Sequence, residues 1–494
     1  MFLKNLIDPD WQTRLPAEWL DRDIPAVCSD SRQVKAGSLF IAQQGAGAHG
    51  STFIEDAIRR GAAVVIFDSQ TQPGKFFDAL NGVLKLSVDD AHRFLIETAK
   101  RFYGDPTSKV RTIGITGTNG KTTTTYLLES IFAAAGKIGG VIGTVQYRCG
   151  KTVWPAHNTT PGLVENDALL AVMANEGASH CFMEVSSHAL SQGRVDGLRF
   201  AQAVFTNLTS DHLDYHKNRE EYFLAKAKLF TTLDRSATAI INVDDPFANR
   251  LLSMTKSAVL TFGLRNRASV TASQIRMTLE GTQFQLVLPG GKIEVHTRLV
   301  GAHNIANILA AAAVSCVEGL PAKTIKKGIE NLTKVPGRLE SIEAGQDFFV
   351  FVDYAHTEDA LRNVLTSLRK VSSSRIILAF GCGGDRDRIK RPLMGKAAVE
   401  LADEVIMTSD NPRSEDPRQI IADIEAGCPS KKYQVIPDRR QAVTTALDMA
   451  GAGEMVLIAG KGHEDYQIFR DKTIAFDERL IVREYLEQKV SQRL

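Results

Sequence analysis

The run Gly114-Ile115-Thr116-Gly117-Thr118-Asn119-Gly120-Lys121-Thr122 follows an apolar segment and opens a helical one. Backbone amides, an ammonium and a hydroxyl then converge where the phosphates of a nucleotide can sit. Gly117 and Gly120 flank Thr118-Asn119 and let the loop curl with its amides inward. Lys121 can reach β- and γ-phosphates, and Thr122, followed by Thr123, can offer a hydroxyl to Mg²⁺. The loop departs from the standard phosphate-loop pattern, because Ile115 stands where that pattern has its first glycine. The bland alternative is an ordinary strand-to-helix turn.

Further along, Glu184 ends an apolar run in Met183-Glu184-Val185-Ser186-Ser187-His188. A carboxylate there enters the ligand crevice of an α/β sheet and can hold a metal, or it serves as a helix N-terminal charge. The stretch Thr206-Asn207-Leu208-Thr209-Ser210-Asp211-His212-Leu213-Asp214-Tyr215-His216 is too polar to be explained by packing. His212 and His216 share a helical spacing that suits zinc, but no H-E-x-x-H accompanies them. On spacing alone Lys226 is a solvated helix lysine, and Asp410-Asn411-Pro412-Arg413 is a type I turn with a surface arginine.

The elements that must position these groups read as α/β throughout. Apolar segments at 38–42 and 62–67, separated by a Gly-rich loop at 44–50, form a small N-terminal unit. From about residue 110, apolar runs at 112–115, 181–185, 203–205 and 239–243 alternate with helical stretches at 122–135 and 304–317. Such alternation predicts a largely parallel sheet flanked by helices. Apolar and polar residues alternate over 269–299 around Gly281 and Gly290-Gly291, which predicts hairpins. After a break at Val335-Pro336-Gly337-Arg338, strands are expected at 348–352, 376–380, 405–407 and 455–459, with helices at 417–426 and 440–450. That part reads as a Rossmann-like, doubly wound domain. The expected division is therefore 1–92, 93–334 and 335–494: a small N-terminal α/β domain, a central P-loop ATPase domain and the doubly wound C-terminal domain.

The chain has 494 residues, 44% hydrophobic and 23% charged, enough for several cores. With 59 basic and 57 acidic residues the net charge is +2, so no field favours nucleic acid or an anionic membrane. A small charged metabolite is the expected partner. The six cysteines lie far apart with no C-x-x-C pair, the pattern of reduced thiols in a cytosol. The longest apolar stretch, at 308–317, is far shorter than the ~20 residues a membrane span needs. A soluble, unprocessed, cytoplasmic monomer is the expectation.

Thr116-Gly117-Thr118-Asn119-Gly120-Lys121-Thr122, Glu184-Val185-Ser186-Ser187, Asn207-Leu208 to Asp211-His212-Leu213-Asp214, Gly301-Ala302-His303-Asn304, Gly337-Arg338 and Asp353-Tyr354-Ala355-His356 stand in the order found in the Mur ligases, a family that the whole chain resembles. Asp30-Ser31-Arg32, Asn158-Thr159-Thr160, Gly383-Gly384-Asp385-Arg386-Asp387, Asp410-Asn411-Pro412-Arg413 and Gly460-Lys461-Gly462-His463-Glu464-Asp465 narrow the resemblance to its tripeptide-forming branch.

The resemblance implies that the central domain binds ATP through Gly117, Thr118, Asn119, Gly120, Lys121, Thr122 and Thr123, with Asn304, Arg338 and Asp353 at the adenosine end and the interdomain joint. It places the uridine diphosphate of UDP-N-acetylmuramoyl-L-alanyl-D-glutamate near Ser29, Ser31, Ala46, Gly47 and Ala48. The muramoyl-dipeptide end would meet Asn158, Thr159, Thr160, Ser186, Gln192 and Arg194. Lys226 changes status, because the family carries there a lysine carbamylated by CO₂, which would join Thr122, Glu184 and His212 around Mg²⁺. The implied reaction activates the D-glutamyl γ-carboxylate as an acylphosphate, which an amine then displaces, within a cleft that closes about joints near Pro106 and Pro336. In the family an arginine at position 413 goes with meso-diaminopimelate, whose distal carboxylate a guanidinium can bind through two hydrogen bonds. Arg386, Asp410, Asn411, Pro412, Gly460 and Glu464 would complete that pocket. A lysine-adding ligase, a folylpolyglutamate-type ligase and a non-ligating P-loop NTPase are the alternatives.

Overall fold

The computed structural model describes residues 1–43, 50–70, 82–209, 211, 215–429 and 432–493. The N-terminal sheet is parallel in the order β1 (Val27–Cys28), β2 (Leu39–Ala42), β3 (Val64–Asp68) and β4 (Leu84–Val88). β2 and β3 are unbroken apolar runs because both of their faces are covered. On one side Leu39, Ile41, Val64 and Ile66 meet Ala91, Leu95 and Ala99 of the helix Ala91–Tyr103. That helix starts at Asp90, whose carboxylate accepts from the Arg93 amide at 2.8 Å, and ends at Gly104 in left-handed backbone. It is continuous across residues 92 and 93, and the same apolar cluster takes in Leu163 and Val164 of the helix Leu163–Asn175.

The central sheet has β5 (Arg111–Thr116), β6 (Gly139–Ile142), β7 (Gln146–Cys149), β8 (Thr152–Pro155), β9 (His180–Glu184), β10 (Phe200–Phe205), β11 (Thr238–Asn242) and β12 (Ala258–Phe262). Their order is β12-β11-β10-β5-β9-β6-β7-β8. The strands from β12 to β6 are mutually parallel, and β7 and β8 close the edge antiparallel. β5 sits between β9 and β10, where the chain reverses its direction of travel across the sheet. A crevice forms beyond the strand ends at such a point. Three loops meet there: the phosphate loop after β5, Val185-Ser186 after β9 and Thr206-Asn207 after β10. The meander β13 (Thr271–Thr278), β14 (Gly281–Leu288) and β15 (Gly291–Thr297) is antiparallel, as expected. Its Phe284, Leu286 and Val295 share a core with the buried helix Ala302–Val317 and with Ile325 and Ile329.

The C-terminal sheet comprises β16 (Glu340–Ser341), β17 (Phe349–Asp353), β18 (Ile376–Phe380), β19 (Glu404–Met407), β20 (Gln434–Val435) and β21 (Met455–Ala459), in the order β16-β17-β21-β18-β19-β20. All pairs except β16-β17 are parallel. Helices Glu358–Val371, Lys390–Leu401 and Pro417–Glu425 cover one face, and Arg439–Met449 and Glu478–Arg493 the other, which makes the unit doubly wound. A small hairpin of β22 (Tyr466–Ile468) and β23 (Thr473–Ala475) follows. The sequence reading found β5, β9, β10 and β11 of the central sheet and β17, β18, β19 and β21 of the C-terminal one; it missed β6, β7, β8 and β12 and the two-residue edge strands β16 and β20.

Candidate active site

The loop after β5 is held by the end of β10. Thr118 N donates to Asn207 O at 2.9 Å and Asn119 N to Asn207 Oδ1 at 2.9 Å, while Thr206 Oγ1 donates to Asn119 O at 2.6 Å. These bonds bring the chains so close that Gly117 and Gly120 admit no side chain. A Cβ at Gly117 would lie 1.9 Å from Thr206 Oγ1, and one at Gly120 2.2 Å from Asn307 Oδ1. The loop runs into the helix Lys121–Ala134, whose first amides have no partner within the helix and face an anion-binding site. Lys121 Nζ folds back onto Gly117 O at 2.8 Å and Thr118 O at 2.9 Å. Burial depresses its ammonium below the ordinary range, against the pull of Glu184 and Asp211.

Glu184 is 1% exposed, and its carboxylate is clamped rather than solvated. Oε1 accepts from Thr144 N at 3.0 Å; Oε2 accepts from Thr144 Oγ1 at 2.9 Å and Thr122 Oγ1 at 3.1 Å. Thr122 and Glu184 thus put a hydroxyl and a carboxylate in contact beside the loop, hard oxygen donors of the kind Mg²⁺ takes. Lys226 is 2% exposed, which overturns its reading as a solvated lysine. Its Nζ donates to Gly117 O at 2.9 Å, the carbonyl that Lys121 also uses, and lies 4.5 Å from the Tyr222 ring centroid. Burial, reinforced by the Lys121 charge, pushes its ammonium well below the usual range. His212 lies outside the described residues. Among those described, no three His, Cys, Asp or Glu side chains gather as a metal cluster. His216 packs its ring against Tyr215, Tyr222 and His188.

The residues expected at the muramoyl-dipeptide end form one connected group. Thr160 Oγ1 donates to Glu184 O at 2.8 Å and accepts from Ser186 N at 3.0 Å. Arg194 donates to Thr160 O at 3.1 Å and, through two nitrogens, to Gln192 Oε1 at 2.9 and 2.6 Å. Thr159 Oγ1 lies 3.0 Å from Thr144 Oγ1, and Asn158 O accepts from Tyr147 OH at 2.6 Å. Ser31 is buried in the N-terminal domain, hydrogen-bonded to Asp56, with Ser29 half-buried nearby in sequence. Ala46, Gly47 and Ala48 lie outside the described residues.

In the C-terminal domain, the loops after β18, β19 and β21 converge. Arg413 stands in a turn with φ +52°, but it is half-buried and donates to Gly384 O at 2.8 Å, so it is not the surface arginine that the spacing suggested. Asp385, also left-handed at φ +51°, accepts from Ser414 N at 3.1 Å and Ser414 Oγ at 2.6 Å. The two left-handed residues thus face each other across the contact, Asp385 bonded to Ser414 and Arg413 to Gly384. Asn411 Nδ2 donates to Glu464 Oε2 at 2.8 Å, and Glu415 N closes onto Pro412 O at 3.0 Å. Gly460, at φ +119°, leaves no room for a side chain, since a Cβ would meet Asp410 Oδ2 at 2.6 Å. Arg386 is exposed, with its stem beside Gly383 and its guanidinium donating to Asp385 O at 2.9 Å.

A cleft of about 260 Å³ joins the two large domains, lined by Lys121, Glu184, Asn207, Asp211 and Asn304 from one side and Arg338, Asp353, Tyr354, His356 and Asn363 from the other. Arg338 Nη2 donates to Thr122 Oγ1 at 3.2 Å, and its guanidinium carbon lies 4.7 Å from the Tyr354 ring centroid. Tyr354 in turn contacts the His463 ring at 4.9 Å, next in sequence to Glu464. A run of side-chain contacts therefore leads from the phosphate loop through Arg338 and Tyr354 to His463, on the loop that carries Glu464. Asp353 fixes the joint by accepting from Leu339 N at 2.6 Å and Ala355 N at 2.8 Å. Sequence reasoning overlooked Thr144, Asn307 and Asp359, the last accepting from Asn119 Nδ2 at 3.1 Å and Thr209 Oγ1 at 2.9 Å. Only Thr144, directly after an apolar run, carries a readable signal.

Comparison with known proteins agrees with this geometry. Family models match in three segments: the Mur ligase family catalytic domain over residues 23–103, the Mur ligase middle domain over 115–315 and the Mur ligase glutamate ligase domain over 337–462. A UDP-N-acetylmuramoyl-L-alanyl-D-glutamate–2,6-diaminopimelate ligase of Geobacillus thermodenitrificans is 44% identical over 489 residues, 97% of this chain and 98% of the relative. One of the same name from Caldanaerobacter subterraneus is 43% identical over 94% of this chain and 95% of the relative. A solved structure of a ligase of that name superposes with a TM-score of 0.70 at 33% identity, covering 99% of each chain. Three family segments in order, relatives alike from end to end and a cleft built on the expected loops lead to one conclusion: the chain belongs to the Mur ligase family.

Proposed function

We propose that this chain uses ATP to join meso-diaminopimelate to the D-glutamyl γ-carboxylate of UDP-N-acetylmuramoyl-L-alanyl-D-glutamate, the tripeptide-forming step of peptidoglycan precursor synthesis. The likeness to ligases of that name supports the reaction. The observation that supports the mechanism is the run of contacts from Thr122 through Arg338 and Tyr354 to His463, which ties the cleft at the phosphate loop to the loop that carries Glu464. The three domains, taken as 1–92, 93–334 and 335–494, then supply the uridine-diphosphate end, ATP and the incoming amino acid respectively. The chain acts as a monomer in the cytoplasm on small charged substrates; among the described residues no helix is long and apolar enough to cross a membrane.

A carboxylate does not condense with an amine at neutral pH, because its oxygen is a poor leaving group. The γ-carboxylate therefore attacks the γ-phosphorus of ATP and becomes an acylphosphate, and a neutral amine then displaces phosphate. The loop amides and Lys121 take up charge on the transferring group. Thr122 and Glu184, hard oxygen donors in contact, fit Mg²⁺, which when bound would neutralise phosphate charge as a Lewis acid. Lys226 fits carbamylation: burial favours its neutral amine, the form that attacks CO₂, and the resulting carbamate would supply a further oxygen ligand. Thr160, Ser186, Gln192 and Arg194 orient the dipeptide, and Asn304 and Asn307 border the adenosine end. The cleft at the phosphate loop lies between the two large domains, so their closure would exclude water from the acylphosphate.

The test is ADP release by the purified chain. It is expected only with the UDP-muramoyl-dipeptide and diaminopimelate together. Release without an acceptor would mark a non-ligating NTPase, and faster turnover with lysine would overturn the acceptor assignment.

A further inference from the structure

Lys461 has no role in the reaction as described, yet it is a fully buried cation next to the acceptor pocket. It stands between two left-handed glycines, Gly460 at φ +119° and Gly462 at φ +55°, and its side chain is wholly shielded from solvent. A buried ammonium is costly unless paired and hydrogen-bonded, so its partners are informative. Nζ donates to Asn411 Oδ1 at 3.0 Å and to Glu464 Oε2 at 2.9 Å. Asn411 Oδ1 also accepts from Ile468 N at 3.0 Å. With both donors on its oxygen, the amide can turn only one way, and its Nδ2 goes to Glu464 Oε2 at 2.8 Å. Both donors to Glu464 thus fall on Oε2, which leaves Oε1 for a ligand.

Charge is balanced around this pocket. Of the groups in contact with Lys461 and its neighbours, Lys461 offsets Glu464 and Arg439 offsets Glu478, with Asp410 near Arg439 and Arg413 on the facing loop. Arg439 Nε pairs with Glu478 Oε1 at 2.6 Å, both without exposure, and Arg439 Nη1 lies 4.0 Å from Asp410 Oδ2. A neutral site accepts a distal group that is itself neutral overall, an ammonium with a carboxylate. An ammonium alone leaves one uncompensated positive charge in a poorly solvated place.

We propose that Lys461 is a positioning and specificity-determining residue: by holding Asn411 and compensating Glu464 it makes the pocket select a zwitterionic distal end over a lone ammonium. The inference rests on the diaminopimelate reading above. Removing Lys461 makes the site net negative, which favours lysine and disfavours diaminopimelate.

The experiment measures kcat/KM for meso-diaminopimelate and L-lysine in the wild-type chain, Lys461→Met, Glu464→Gln and the double variant. Lys461→Met should lower the diaminopimelate-to-lysine ratio by about tenfold or more, with the KM for ATP within about twofold. The double variant removes one charge of each sign, so its ratio should return toward the wild-type value. If Lys461→Met does not fold, Glu464→Gln against the double variant reads the same coupling: the excess positive charge in Glu464→Gln should reject lysine more strongly than the balanced pair does. Equal loss for both acceptors, or a double variant no different from its single parents, overturns the proposal. A wild-type chain that prefers lysine refutes the parent reading instead.

Discussion

Beside the phosphate loop, Lys121 and Lys226 rest on main-chain carbonyls; around the acceptor pocket, Lys461, Arg391 and Arg439 rest on carboxylates. The first pair shares Gly117 O, and burial depresses both ammoniums. The second group is locked in ion pairs, with Arg391 bound to Glu415 at 2.9 Å and Asp423 at 2.8 Å and donating to Gly383 O at 3.2 Å. The difference follows from the ligands. A triphosphate would bring several negative charges, which Lys121, held only by neutral carbonyls, is ready to meet, while Lys226, whose neutral form burial favours, is open to carbamylation. A zwitterion brings almost none, so its pocket must be balanced beforehand and gains selectivity from geometry.

Breaking the unpaired half has the largest expected effect. Lys121→Ala should cut ligation by about 10³-fold while circular dichroism and melting temperature stay near wild type. Turnover retained within tenfold would remove Lys121 from the phosphate site. Lys226→Ala should lose about 10²-fold in kcat, and added short carboxylates should restore part of it by standing in for carbamate oxygens. No rescue at any carboxylate concentration leaves Lys226 as a buried amine only. In the other region the effect should be selective: Arg413 there rests on Gly384 O rather than on a carboxylate, and Arg413→Ala should raise the KM for diaminopimelate by about 10²-fold and that for ATP by less than about twofold. If both rise together, the two halves are not separate sites.

The same contrast sets what the sequence made legible. The phosphate loop is contiguous, so its glycines, lysine and threonine read directly. Glu184 alone was ambiguous, and only the pairing of Ile115 with Glu184 across β5 and β9 puts it beside the loop. Lys226 had a signal that its own type concealed. Tyr222, Phe223, Leu229 and Phe230 lie three or four residues to either side and are all buried, so helical spacing already put position 226 on the inner face. The acceptor pocket gave no such signal. Lys461 meets Asn411 fifty residues away, and Gln467 donates to Asp410 O fifty-seven away at 2.7 Å, so only the resemblance pointed to that loop cluster. The balance of its charges depends on Arg439 and Glu478, which stand on helices from opposite ends of the domain's last segment and carry no motif.

The rule that an unpaired buried charge is costly and a paired one is not can be checked away from the cleft, where the effect is smaller. Asp167, on the helix Leu163–Asn175 that packs with Ala91–Tyr103, is 3% exposed, and burial raises its carboxyl to about 7, with Lys100 opposing and Asp105 adding to the shift. Glu318 is subject to the same burial, but His180, Arg111 and Gln202 donate to it and hold it down at about 2. The signs are therefore opposite. Asp167 has a folded value above its unfolded one near 3.8, so its contribution is full at low pH and is lost as pH rises toward 7. Glu318 has a folded value below its unfolded one near 4.5, so its contribution is full above that pH and is lost as pH falls toward 2. Asp167→Asn should leave stability unchanged near pH 3.5 and increase it at pH 8, by at most about 4 kcal/mol from the three-unit shift. Urea denaturation at the two pH values measures this. A variant destabilised at pH 8 would mean that the Asp167 carboxylate is paired after all, and that the contrast between carbonyl-held and carboxylate-held charges belongs to the cleft alone.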